Sequence, residues 1–135
     1  MKIQKMYHLK RIEPAVAPLE RWYNRVLDKE PIEISIGDIL RALRQSVFVE
    51  VAEEMLIKHL QADVFAGETT EGELMEALAN FTLTSTRKFY DEISAIVAAS
   101  EAKVDQYEWA DETDKKDYME SVSKVKTHLL ECKEK

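Results

Sequence analysis

Residues 35–78 read SIGDILRALRQSVFVEVAEEMLIKHLQADVFAGETTEGELMEAL. Ser35 offers a helix N-cap, and Asp38 follows three residues on, a variant of the capping box. Ile36, Ile39, Leu40 and Leu43 then recur at helical spacing and predict a buried face. The polar phase changes around Gln45–Ser46. Beyond it Val47, Phe48, Val51, Met55, Ile57 and Leu60, flanked by Ala52 and Leu56, make a broad stripe. That width predicts a longer helix buried on more than one side and ending near Asp63. Gly67 and Gly72 bracket a turn. Thr70 with Glu73 reads as a second capping box, and Leu74, Met75 and Leu78 form the stripe of the helix it opens.

The flanks carry the same period. Leu19, Trp22, Tyr23, Val26 and Leu27 form one apolar stripe directly after Pro18, which is tolerated in a first helical turn. Pro31 ends that helix. The EISI stretch at 33–36 is too short and isolated to found a sheet. Residues 84–106 predict one strong helix, with Phe89, Ile93, Ile96, Val97 and Val104 at helical spacing. Trp109 and Asp111 mark a break. Asp111 and Asp114 then suit the start of a last helix with Tyr118, Met119, Val122, Val125, Leu129 and Leu130 as its apolar positions. Lys124, Lys126, Lys133 and Lys135 complement its C-terminal end. The expectation is an all-α protein: a compact bundle of about five or six helices forming a single domain over residues 1–135.

Composition agrees. The 135 residues include only 3 Gly and 3 Pro, and every Pro falls within the first 31 positions. Few breakers favour long helices over a many-stranded sheet. A hydrophobic share of 45% with 33% charged residues is that of a globular chain, not a disordered one. A lone cysteine, Cys132, cannot form an internal disulfide and fits a reducing compartment. No apolar run is long enough to span a membrane. The N-terminal MKIQKMYHLKRIEP lacks a continuous apolar segment and a cleavage site, so the expected location is cytoplasmic.

Little in the chain points to catalysis. His8, His59 and His128 are the three histidines, and no HExxH, Glu-x-x-His or paired Cys/His spacing accompanies them. Cys132 sits among Lys and Glu near the C-terminus, with no organised base in view. Phosphate-binding glycine motifs and a GxSxG elbow are both missing. The reading is a non-enzyme with no catalytic residue, no metal and no cofactor.

Charge is the stronger signal. The net charge of −7 is unevenly spread. Residues 1–49 carry 9 basic and 6 acidic side chains, whereas residues 50–80 carry 1 basic and 8 acidic ones. Such a segment repels phosphate backbones, which argues against direct nucleic-acid binding, and it attracts a basic protein. Glu50, Glu53, Glu54, Glu68, Glu71, Glu73 and Glu76 are its densest carboxylates. They read either as a partner-binding face or as a solvated one. Glu50, Glu53 and Glu54 stand at i, i+3 and i+4, a spacing at which like charges cost about 0.2–0.5 kcal/mol per pair. Glu68, Glu71 and Glu73 lie on the turn, where charge reversal should leave the fold intact. Tyr107 and Trp109 lie at the helix break. They read as binding anchors or as core.

Two stretches carry a family likeness. One is Gly37, Asp38, Ile39, Leu40, Arg41, Leu43, Arg44 and Gln45. The other is Asp63, Val64, Gly67, Glu71, Gly72, Glu73, Leu74 and Met75. In this order they resemble the immunity proteins of bacterial contact-dependent growth inhibition (CDI) systems. The likeness covers residues 20–80. Val64 stands where that pattern has a proline, and Thr70 where it has an aromatic. The resemblance implies a protein that binds a cognate toxin C-terminal domain, commonly a basic nuclease, and blocks its active site or substrate access. The expectation is a monomer in a one-to-one heterocomplex, with no membrane partner. The alternative reading is a small helical adaptor or regulatory subunit of another bacterial complex.

Overall fold

The computed structural model of the chain describes residues 1–134, with side chains as far as residue 133. Among the described residues there are eight α-helices, one 3-10 turn and no strand. The helices are α1 (Ile3–Tyr7), α2 (Pro18–Leu27), α3 (Ile36–Gln45), α4 (Val49–Ala62), α5 (Glu73–Leu78), α6 (Leu83–Lys88), α7 (Tyr90–Lys103) and α8 (Glu112–Glu134). The 3-10 turn is Pro31–Glu33. Five helices run seven residues or more, and the all-α expectation holds. Two compact units divide the chain, Met1–Met55 and Leu56–Lys135, and the division falls inside α4.

The first unit is organised by caps and rings. Ser35 Oγ accepts the N–H of Asp38, and the Asp38 carboxylate accepts the N–H of Ser35, both at 3.0 Å. This capping box opens α3 as its sequence predicts. Asp38 also receives the Lys29 ammonium at 2.8 Å and the Trp22 indole N–H at 3.0 Å. One side chain thereby ties α2 to α3. Trp22 is buried, and the Arg41 guanidinium lies 5.3 Å from its ring centre, a cation–π contact. Ser46 ends α3 in the left-handed conformation, and Phe48 enters α4 with φ +50. That chain path delays α4 to Val49, two residues later than the apolar stripe predicts. The Phe48 ring is buried beside Tyr7, Trp22 and Tyr23, the last stacked at 5.1 Å.

In the second unit α8 packs on α5, α6 and α7. Its buried positions are Tyr118, Ser121, Val122, Val125, Leu129 and Cys132, so most of the seam recurs at alternating steps of four and three. Cys132 belongs to this stripe, where its thiol faces the Leu83 carbonyl at 3.5 Å. Leu130 points out of it and is exposed. The thiol lies in the core although its neighbours in sequence are Lys and Glu. The single helix expected at 84–106 is interrupted. Phe89 adopts φ −110 and ψ 27, which separates α6 from α7. Thr82 caps α6 by accepting the Ser85 N–H at 3.1 Å. The segment therefore begins a helix one residue early and restarts it at Tyr90.

Candidate functional site

The acidic turn between α4 and α5 is held by its own glutamate. Glu73 accepts the N–H groups of Thr69 and Thr70, each at 2.6 Å, and the Thr69 hydroxyl at 3.0 Å. Burial raises the Glu73 pKa, but these donors outweigh it and hold the carboxyl below its usual value. The predicted box at Thr70 and Glu73 is thus half formed. Glu73 reaches back as expected, whereas the N-cap is Gly72, at φ +84, and Thr70 gives no side-chain cap. Gly67 is required for a different reason. A Cβ there would lie 1.8 Å from the Thr70 carbonyl oxygen. The turn closes on itself too tightly for any other residue.

Beneath this turn is a cluster of four aromatic rings. Phe65 stacks on Tyr107 with centroids 4.0 Å apart and meets Trp109 edge-on at 5.4 Å. Tyr118 touches both Phe65 and Trp109, at 5.2 and 5.3 Å. Tyr107 and Trp109 meet at 4.8 Å. The Phe65–Trp109 and Tyr107–Trp109 pairs have the edge-on arrangement that ring quadrupoles favour. Phe65 and Tyr118 are buried, while Tyr107 and Trp109 are half-buried. The Trp109 indole donates to the Val104 carbonyl at 3.0 Å, which fixes its orientation. The Glu71 carboxylate beside the Tyr107 hydroxyl, with some burial, pushes its pKa up to about 12. The acidic turn and the Tyr107–Trp109 turn are therefore one surface.

The sequence candidates fall into two groups. Glu68, Glu71, Glu73 and Glu76, with Tyr107 and Trp109, lie in the second unit. Glu50, Glu53 and Glu54 lie in the first. Glu53 is only 8% exposed, so it does not share an exposed face with Glu50 and Glu54. Glu50 accepts the Tyr7 hydroxyl at 2.8 Å, and that hydroxyl also accepts the Val51 N–H at 3.3 Å. Glu50 thus takes part in fastening α1 to the start of α4. The charge division follows the units. Residues 1–55 hold 9 basic and 9 acidic side chains, which places the entire −7 in residues 56–135.

Sequence reasoning missed Phe65 and Gly72 as parts of the site, and it read Tyr118 only as a core position. The apolar Val64-Phe65-Ala66 run inside the turn stretch DVFAGETT was the available signal. Among the described residues, no group of three His, Cys, Asp or Glu side chains is placed to hold a metal ion. Nor is any helix there long and apolar enough to cross a membrane.

The class so defined is an all-α protein whose acidic and aromatic side chains converge on one turn. The family model of CDI immunity proteins matches residues 5–96, and the chain belongs to that family. It is an immunity protein against a CDI toxin. The match reaches further in both directions than the likeness read over residues 20–80. Tyr107, Trp109 and all of α8 lie beyond it. No curated protein matches the chain.

Proposed function

We propose that this immunity protein binds a basic nuclease domain at the C-terminus of its cognate toxin. It acts as a cytoplasmic monomer in a one-to-one complex and occupies the active site, without catalysis of its own. The carrying observation is that the −7 charge lies wholly in the unit where Glu71 meets Tyr107 above stacked rings. A nuclease cleft is basic because it binds phosphates, so an acidic surface both steers toward it and excludes the substrate. Half-buried, rigid aromatic side chains supply the anchoring contact that a charged rim lacks. Glu68, Glu71 and Glu76 form the steering part of this contact, with Tyr107 and Trp109 as its anchors. Glu50, Glu53 and Glu54 lie on the other unit, and Glu73 acts through the backbone it holds.

The test uses the purified toxin C-terminal domain and a nucleic-acid cleavage assay. One equivalent of the immunity protein should abolish cleavage. Glu68→Lys with Glu76→Lys should slow association and flatten its salt dependence. A toxin that kills without cleaving nucleic acid would overturn the nuclease assignment. A wild-type association rate across the salt titration would remove the acidic turn from the contact.

A further inference from the structure

Tyr118 sits at the second turn of α8, outside the family-matched residues, yet it meets both ends of the acidic turn and the Trp109 ring. Its hydroxyl donates to the Val64 carbonyl at 2.9 Å, at the start of the acidic turn. It also lies 2.9 Å from Ser100 Oγ, which is 2.8 Å from the Ile96 carbonyl. The single Ser100 proton serves either Tyr118 or Ile96. At the far end of the turn, the Tyr118 ring faces Gly72 so closely that an added Cβ would stand 2.7 Å from Cδ2. The same ring packs on Phe65 and Trp109. Its hydroxyl is pushed up to about 12, by burial first and by the Asp63 charge, against a lowering contribution from Ser100. It therefore remains protonated, and able to donate, across the physiological range.

We propose that Tyr118 is the positioning residue that locks the 63–73 turn and the Tyr107–Trp109 turn into a single toxin-binding surface. The turn has two ends, at Val64 and Gly72, and one side chain holds the first by a hydrogen bond and the second by contact. Two backbone bonds then clasp the turn between these points: Gly72 N–H to the Phe65 carbonyl at 2.9 Å, and Leu74 N–H to the Ala66 carbonyl at 3.2 Å. Releasing Val64 frees the strand of chain that accepts both. A surface ordered in advance pays less on association, so loosening the turn weakens toxin binding without removing a contacting residue. The inference rests on the binding surface proposed above.

Amide hydrogen exchange on the full-length protein tests the positioning without any toxin. Tyr118→Phe keeps the ring against Gly72 and removes only the hydroxyl. Exchange at Gly72 and Leu74 should quicken roughly five- to tenfold, the size of one lost hydrogen bond, while amides in α2 and α3 stay unchanged. Affinity for the purified toxin domain should fall by a similar factor. Trp109→Ala and Glu71→Lys serve as the controls for the surface itself. Unchanged exchange in Tyr118→Phe overturns the positioning role whatever the toxin does. Faster exchange with wild-type affinity overturns it too, provided the two control variants bind weakly. If the controls also bind as wild type, the binding surface itself is misplaced, and the Tyr118 role falls with it. Should Tyr118→Phe fold poorly, Ser100→Ala keeps the Tyr118–Val64 bond and should leave the same two amides unchanged; quickening there would place the hold on Ser100 and overturn the Tyr118 role.

Discussion

Gly72 and Tyr118 stand so close that a methyl group on the glycine would lie 2.7 Å from the tyrosine ring. Gly72 also holds φ +84, where a side chain is strained in any surroundings. Gly72→Ala is accordingly expected to cost about 1–3 kcal/mol, combining overpacking with backbone strain. Urea unfolding followed by helical circular dichroism measures it. A midpoint equal to wild type would mean that the ring moves freely, and the turn is not held as described.

Asp38 is the corresponding fastening point of the first unit. Burial raises its pKa, but the Lys29 ammonium, the Ser35 N–H and the Trp22 N–H outweigh that effect and hold it below the usual value of 3.8. Asp38→Ala leaves these donors without an acceptor and should cost about 2–3 kcal/mol. The sign of the pH effect follows from the lowered value. Stability from Asp38 is complete above the ordinary carboxylate pKa and is lost as pH falls through the lowered, folded one. An Asp38→Asn variant should therefore lose less stability on acidification below pH 4 than wild type does. Parallel acid-unfolding curves for the two proteins would contradict this.

Alkaline pH tests the tyrosines. Tyr7 is raised to about 12 by burial first and by its hydrogen bond to Glu50, and Tyr107 and Tyr118 are raised to about 12 as well. A raised folded pKa contributes stability that is full below the unfolded value near 10 and lost as pH climbs through the folded one. Unfolding should therefore become easier between about pH 10 and 12, with late phenolate absorbance. Tyr107→Phe should remove one late-titrating group and leave the other two. A titration in which all five tyrosines ionise near 10 would refute the raised values.

Ser46 closes α3 with φ 54 and ψ 41 and is exposed. Glycine adopts that conformation without a Cβ penalty, so Ser46→Gly should stabilise the protein by about 1 kcal/mol. A rise in the urea midpoint with an unchanged slope is the expected result. A fall would show that the serine contributes more than its backbone angle suggests.

Trp109→Ala should weaken binding of the toxin domain by about 2 kcal/mol, or roughly thirtyfold, if Trp109 is a central anchor. Because Trp109 also packs on three other rings, melting of the free variant must be compared alongside. Calorimetric titration checks the affinity. Charge reversal at Glu73 is a poor substitute, since that carboxylate holds the Thr69 and Thr70 amides. The expectation that Glu68, Glu71 and Glu73 could be reversed together without harm is thereby corrected for Glu73.

Local chemistry was legible in the residues themselves. The α3 capping box, the entry of α2 at Pro18 and the end of α4 at Ala62 follow from short-range spacing, and the structure places all three as read. So does the all-α class, because apolar period and scarce breakers are properties of the chain alone. The short α1 and the break at Phe89 were not legible. A five-residue helix cannot be sustained by its own propensity, and the Phe89 geometry leaves the apolar period of α7 intact. The candidate site divides in the same way. Its charge could be counted along the sequence, but Glu53 and Glu73 look like their neighbours until burial and backbone donors set them apart. Phe65, Tyr107, Trp109 and Tyr118 are up to 53 residues apart, and no local pattern joins them. The sequence by itself determined the all-α class and the acidic excess, because both depend on composition and on neighbours within a turn or two. Only the tertiary structure decided which carboxylates meet which rings, because that depends on α8 returning across α5, α6 and α7.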